Sequence, residues 1–468
     1  MGKNLSLGIN RQVFLEEVTS HILAVWNSFD QARADEPQIG EEVTQWLSQD
    51  IPESGISPIT AYKNAAEILD QSTAQSRPRF LAFVGSSGLE VGTVADLLAS
   101  TYDVNLATHS GAASHLENQT SKWLAQFVGF SNSRGLFTSG GTVSNITALA
   151  AARQRVLPES RITGNSVPLA VYCSQEAHYS NKRAIELLGL GSQSLRFVPI
   201  DEQHRMNPAE LLKLIERDLS EGVTPMAIIA TAGSTLTGAV DPLRDISEIA
   251  QRFNIWMHVD GAYGAPAAGV ETSRDLFDGL DLADSLTIDA HKWLFVPKAC
   301  SILLVKDYSS LASTFGHEEA YMPHEGYEPN PVDVTLEYSR PLRALKLWLG
   351  FLTHGAAEFR SAIEGNIALA NLLYDRADGD HRFRVLPIRP QLSIVPVQYR
   401  PLGIDDPKLI SDVNSRLCDA IVEDGRFFLS PAVIDNEIWL RPCFTNFRTE
   451  PSDVDAFFDV IGQLESKI

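Results

Sequence analysis

Residues 285–294 read Ser-Leu-Thr-Ile-Asp-Ala-His-Lys-Trp-Leu, which puts Lys292 directly after a histidine at the end of an apolar, β-prone run. An amine fixed at a strand's end is a nucleophile that can anchor an aldehyde. The His-Lys-Trp tripeptide alone proves little, because most lysines are solvated loop residues. Its upstream company gives it weight. Residues 255–264 read Ile-Trp-Met-His-Val-Asp-Gly-Ala-Tyr-Gly, where a hydrophobic strand runs out at Asp260 and small residues leave room for something flat against the backbone. In α/β proteins, ligands bind at that end of the strands.

Pyridoxal phosphate needs a lysine for its aldehyde and an acid beside its pyridine nitrogen, since a protonated ring is the electron sink for a carbanion. Lys292 and Asp260, 292 − 260 = 32 residues apart on successive strands, fit those two roles. A third requirement is an anion site for the phosphate. Residues 137–152, Phe-Thr-Ser-Gly-Gly-Thr-Val-Ser-Asn-Ile-Thr-Ala-Leu-Ala-Ala-Ala, supply glycines and then an Ala-rich helix whose positive end faces the anion. Gly140, Gly141 and Thr142 are the candidate phosphate residues. A Ser-Gly-Gly-Thr stretch is by itself an ordinary loop, but three separate elements agreeing in order are harder to explain as coincidence.

These residues need a scaffold, and the alternation of short β-branched runs with helical stretches over residues 77–306 describes one. Runs at 169–173, 226–230, 255–259, 285–288 and 301–305 predict an α/β fold with a mostly parallel sheet covered on both faces. Residues 1–76 read as a helical segment that wraps a partner subunit or simply caps the fold, and 77–352 as the large cofactor-binding domain. After an amphipathic helix over 342–352, residues 353–468 read as a smaller α+β domain, with strands near 392–397 and 438–441. Residues 315–337, rich in Gly, Pro, Glu and Tyr, have the length of an active-site lid or of a disordered loop.

Composition narrows the function classes. With 38 basic and 59 acidic residues the net charge is −21, spread along the chain, which argues against nucleic acid or anionic membrane as a partner. Four widely spaced cysteines, Cys173, Cys300, Cys418 and Cys443, show no zinc spacing and no disulfide framework. With no signal pattern over residues 1–11 and no run of 18 apolar residues, a cytoplasmic protein is expected. His317-Glu318-Glu319-Ala320-Tyr321 has tyrosine where a helical zinc motif needs its second histidine, so no metal is expected there.

Two further side chains lie at the sheet's carboxyl edge. His178, between a strand and a helix, is placed to stack on a pyridine ring, although a lone histidine is more often a surface or capping residue. Thr231, in Ala-Thr-Ala-Gly-Ser-Thr, ends its strand where a hydroxyl can bond the cofactor's phenolic oxygen.

Together the segments around 77–83, 138–142, His178, 231–235, 258–263, 289–293 and 441–448 resemble, in order and over most of the chain, the group II pyridoxal-phosphate decarboxylases. That family includes the aromatic-amino-acid, glutamate, tyrosine and diaminobutyrate decarboxylases. The resemblance implies fold type I, the aspartate aminotransferase-like fold, and a homodimer with active sites at the interface. It implies Lys292 as the aldehyde anchor, Asp260 as the pyridinium partner, His178 as the stacking ring and Ala262 as the small residue on the opposite ring face. Gly141 and Thr142 match its phosphate pair, and His291 and Thr231 match cofactor contacts. In that family a loop tyrosine protonates the carbon that loses carbon dioxide, and phenylalanine there is associated with aldehyde formation. Tyr321 is the preferred candidate here, ahead of Tyr327. Phe83 keeps an aromatic pocket position, while Val84 and Gly85 replace the aromatic-proline pair of the animal aromatic enzymes, so aromatic specificity does not follow.

The expected activity is decarboxylation of an L-amino acid to its amine. An aldehyde synthase, an aminotransferase or a lyase on the same fold stands as the alternative, because scissile-bond geometry is not written in a sequence. A catalytically silent scaffold would predict loss of the lysine or its acid partner, and both are present.

Overall fold

A computed structural model of the chain describes residues 6–32, 38–317 and 329–465. Its centre is a seven-stranded sheet made of β1 (Arg134–Thr138), β2 (Leu169–Ser174), β3 (Leu195–Val198), β4 (Thr224–Thr231), β5 (Trp256–Asp260), β6 (Ser285–Ile288) and β7 (Ser301–Val305). The spatial order is β1-β7-β6-β5-β4-β2-β3, and only β7 runs against the rest. The sheet is therefore mostly parallel, as the alternation of runs predicts.

Strands buried on both faces need apolar residues at successive positions, and β2, reading Leu-Ala-Val-Tyr-Cys-Ser, is buried throughout. Successive side chains go to opposite layers. Leu169, Val171 and Cys173 pack with Ala148, Ala151 and Ala152 of the helix Gly141–Val156. Ala170 and Tyr172 join the other layer, with Leu124, Leu211 and Ile246 from helices Ala112–Val128, Pro208–Ser220 and Leu243–Phe253. The Ala-rich character of Gly141–Val156 follows from its place: small side chains let it lie close on the sheet.

β1 and β3 are not predicted by the apolar runs. β3 is a short edge strand with Phe197 half-exposed, and β1 opens with Arg-Gly, so neither carries a long β-branched signal. A second sheet, β8 (Phe383–Val385), β9 (Val397–Tyr399), β10 (Pro431–Ile434) and β11 (Glu437–Leu440), has the order β10-β11-β9-β8 and is antiparallel throughout. The strand expected at 392–397 begins only at Val397. Pro396 has no N–H for a ladder, and upstream of it only an isolated bridge from Ile394 to Cys443 forms. Helix Ala344–Asp378 joins the two sheets and breaks its helical geometry at Gly355 (φ 75°), a left-handed conformation that glycine adopts without steric cost.

Near the N-terminus, helices Arg11–Phe29, Glu41–Leu47 and Pro58–Asp70 precede the first sheet. Among the described residues no helix is long and apolar enough to cross a membrane, and no cluster of three or more metal-ligating side chains occurs.

Candidate active site

Because β1, β2, β4, β5 and β6 are parallel, their carboxyl ends share one edge of the sheet. β1 delivers Ser139 to Thr142, β2 leads to His178, β4 ends on Thr231, β5 ends on Asp260, and the turn after β6 carries Asp289, His291 and Lys292. A cavity of about 270 Å³ is lined by Gly140, Gly141, Thr142, His178, Thr231, Asp260, Ala262, His291 and Lys292, among others. Each expected cofactor residue thus faces one space. Tyr321 and Tyr327 lie outside the described residues.

Lys292 is set by a tight turn in which its N–H donates to Asp289 O at 2.9 Å. Its Nζ lies 3.0 Å from Asp289 Oδ2. Burial pushes the ammonium's pKa down, but Asp289 and Asp260 more than offset this, and the net shift is upward. For Asp289 burial pushes the other way, and Lys292 and His291 together bring the carboxyl below its ordinary range. Trp293, fully buried, stacks on Tyr263 at 5.1 Å and donates to Asn366 Oδ1 at 3.0 Å, which pins the lysine's turn to the core. An aromatic pair of that kind contributes roughly 0.5–1.5 kcal/mol beyond its buried area.

Asp260 is 6% exposed. Its Oδ2 accepts from Asn145 Nδ2 at 2.9 Å and Asn181 Nδ2 at 3.2 Å, and its Oδ1 from the Ala262 N–H at 3.3 Å. His178 caps the helix Tyr179–Leu187: its Nδ1 accepts the Ser180 N–H at 3.3 Å and meets Ser180 Oγ at 2.8 Å. With Nδ1 accepting, the proton resides on Nε2, and burial lowers the ring's pKa, so the imidazole is neutral at pH 7. His291 is lowered in the same way by burial, and its Nδ1 is fixed 2.8 Å from Cys300 O.

At the phosphate end, Gly141 opens the helix Gly141–Val156, where the first N–H groups have no intrahelical acceptor. A Cβ at Gly141 would sit 3.0 Å from Asp289 Oδ2 and 3.2 Å from the Ala262 Cβ, whereas one at Gly140 would meet nothing within 4 Å. Of the glycine pair, Gly141 is the one that close packing requires.

The arrangement fits pyridoxal phosphate on a structural observation. Thr231 Oγ1 is buried with no hydrogen-bond partner among the described residues, in a cavity that also presents an amine, a carboxylate and a helix N-terminus. An unpaired buried hydroxyl is costly unless a ligand completes it.

The conserved domain of the pyridoxal-dependent decarboxylases matches residues 42–400. This chain belongs to that family. An aromatic-L-amino-acid decarboxylase of Bacillus atrophaeus is 35% identical over 418 residues, covering 87% of this chain and 85% of the relative. A phenylacetaldehyde synthase of Petunia hybrida is 27% identical over 417 residues, covering 85% of this chain and 82% of the relative. Among solved structures, an Oryza sativa TDC with PLP and tryptamine superposes with a TM-score of 0.91 at 24% identity, covering 99% of both chains. That likeness speaks for the fold, which is fold type I. The chain is a pyridoxal-phosphate-dependent carboxy-lyase.

Four polar residues of this region were missed by sequence reasoning. Asn145 and Asn181 hold Asp260, and His258 backs Asn145. Arg441, 4% exposed, donates from Nη1 to Phe83 O at 2.8 Å and leaves Nε and Nη2 without acceptors among the described residues. Burial lowers its pKa. A strand pattern ending on a charged residue at β11's end was the available signal for it.

Proposed function

We propose that the chain decarboxylates an L-amino acid to the corresponding amine and carbon dioxide. The observation that carries this reading is the convergence of Lys292, Asp260 and the N-terminus of helix Gly141–Val156 on one cavity. Bound there, pyridoxal phosphate supplies an electrophilic aldehyde and an electron-withdrawing ring.

The chain's own groups then divide the work. Lys292 would hold the aldehyde until the substrate's amine takes its place, and Asp289, 3.0 Å from Nζ, would steady the positive charge on the lysine nitrogen. With the cofactor bound, Asp260 would serve the ring nitrogen, and neutral His178 and Ala262 would hold the ring's two faces. Gly141 and Thr142 would bind the phosphate, and Thr231 would bond the phenolic oxygen. Tyr321 donates a proton to the carbon that loses carbon dioxide, with Tyr327 as the second candidate.

A homodimer is supported by the N-terminal helices. Arg11–Phe29 buries none of its residues in the single chain, and Val13, Leu15 and Leu23 are all more than half exposed. The four cysteines are unpaired, which accords with a reducing, cytoplasmic setting. The second reading, an aldehyde synthase, is favoured by the similarity to the Petunia enzyme.

A panel of L-amino acids, assayed together for carbon dioxide, amine, peroxide and ammonia, decides between the two. Carbon dioxide and amine in equal amounts without peroxide are expected from at least one substrate, and Tyr321→Phe diverts product toward aldehyde. Peroxide in step with carbon dioxide from the wild-type protein overturns the decarboxylase reading.

A further inference from the structure

Behind Asp260 runs a file of buried side chains whose hydrogens all point the same way. At its far end Trp256 Nε1–H donates to Ser285 Oγ at 2.8 Å. Indole is a donor only, so the serine receives that hydrogen and keeps its own to give on. Ser285 Oγ lies 2.8 Å from His258 Nδ1, the one acceptor its hydrogen has among the described residues, so Nδ1 accepts and the imidazole's proton is left on Nε2. His258 Nε2 faces Asn145 Oδ1 at 3.0 Å, while Thr287 Oγ1 stands farther off at 3.5 Å. That contact decides which way round the Asn145 amide sits. Its NH2 must face the other way, toward Asp260 Oδ2 at 2.9 Å and Ser180 Oγ at 3.3 Å.

The branch to Ser180 extends the file to the second cofactor residue. Having accepted from Asn145, Ser180 Oγ gives its own hydrogen to His178 Nδ1, 2.8 Å away, and the Ser180 N–H points at the same nitrogen. One file thus reaches both Asp260 and His178. Trp256, Ser285, His258, Asn145 and Ser180 are each no more than 2% exposed, so no solvent can reverse a link. The opposite amide orientation would set Asn145 Oδ1 against the Asp260 carboxylate, two acceptors at hydrogen-bond distance in a dry site, which is costly. Burial carries His258 down to about 4, which keeps it neutral and its one proton in place.

We propose that His258 is a positioning residue of this enzyme: by fixing the Asn145 amide it sets the hydrogen-bond direction at Asp260 and at His178 together. This rests on the roles of Asp260 and His178 proposed above. His258 is not among the residues that line the cavity, so its effect passes through the ring nitrogen's partner and the stacking imidazole.

The test uses the cofactor-loaded enzyme with ring-15N pyridoxal phosphate and 15N-histidine, observed by solid-state NMR, with cofactor release followed in parallel. In the wild-type protein the ring nitrogen is expected protonated, and His258 and His178 are both expected as Nε2–H tautomers. His258→Phe, which fills the space without a donor, is expected to shift the ring-nitrogen signal toward the unprotonated form and to speed cofactor release. It should also lower kcat about 10–100-fold with KM little changed, the range that partners one shell removed command at metal sites. His258→Gln restores a donor toward Asn145 and is expected to recover most of the wild-type signal. Two results overturn the proposal: a wild-type His258 protonated on Nδ1, which needs no variant to detect, or a destabilised His258→Phe that keeps the wild-type ring signal and release rate. Neither result bears on whether amine and carbon dioxide are made, so failure here and failure of the functional reading stay separable.

Discussion

The cofactor cavity and the N-terminal helix Arg11–Phe29 are opposite solutions to burial. Around the cavity, Asp260, Asn145, His258 and Trp293 are buried, and hydrogen bonds within the chain hold each of them. Arg11–Phe29 buries nothing, and its ties within the chain run mainly to helix Pro58–Asp70: an edge contact of Phe14 with Tyr62 at 5.9 Å and the exposed ion pair Lys63–Glu17 at 2.8 Å. Exposed ion pairs contribute little. The contrast teaches that the described walls of the cavity are held by the core of one chain, while the N-terminal helix keeps its apolar side chains exposed in that chain.

The sharpest way to break the first half of that comparison is Lys292→Ala. Without the amine the cavity keeps its walls but loses the covalent anchor, and decarboxylation should fall on the order of 10³-fold or more. Protein saturated with pyridoxal phosphate should also lose its absorbance band near the visible edge. A variant that retained the band would place the anchor on another lysine, and Lys298, which also lines the cavity, is the one to examine next.

The second half is tested by Leu15→Glu combined with Leu23→Glu. Both side chains are more than half exposed in the single chain, so the fold has little to lose. If a partner subunit covers them, each substitution removes roughly 1.5–3 kcal/mol of association energy. Sedimentation should then show a shift from dimer to monomer, with circular dichroism unchanged. A double variant that stays dimeric puts the interface elsewhere.

The same contrast explains what could be read from the sequence. Lys292, Asp260 and Thr231 were legible because each ends a β-branched run, and parallel strands bring such ends to one edge. His178 and the Gly141 helix start were legible for the same reason, through the turns that follow β2 and β1. Asn145 and Asn181 were not, since an asparagine inside a helix has no spacing signal and its amide partners come from β5. His258 did leave a trace: it stands two residues before Asp260, and alternate strand residues share a face. β1 and β3 escaped because an arginine–glycine start and a half-exposed edge do not look like buried strand. Strand formation at 392–396 failed for the converse reason, apolar residues interrupted by a proline that cannot join a ladder.

The smallest effect probes the cavity's outer support, where charge rather than packing carries the contact. Glu176, two residues before His178, accepts from Ser234 and Thr237 at 3.2 and 3.1 Å and meets His204 Nδ1 at 2.5 Å. The bond to Glu176 raises the His204 pKa above its ordinary value against the pull of burial, with Asp435 and Asp201 adding to the rise. A histidine raised in the folded state stabilises most where both states are protonated, below about pH 6.5, and that stabilisation is lost as pH climbs through the folded-state value. His204→Gln keeps a neutral hydrogen-bonding group at the same place and removes only the charge. Its apparent melting temperature should fall below that of the wild-type protein near pH 6, by the equivalent of roughly 0.5–1 kcal/mol after allowance for solvent screening. The two proteins should converge near pH 9. A gap that held constant across that range would mean that Glu176 is served by hydrogen bonding alone, with the charge on His204 adding nothing to the contact.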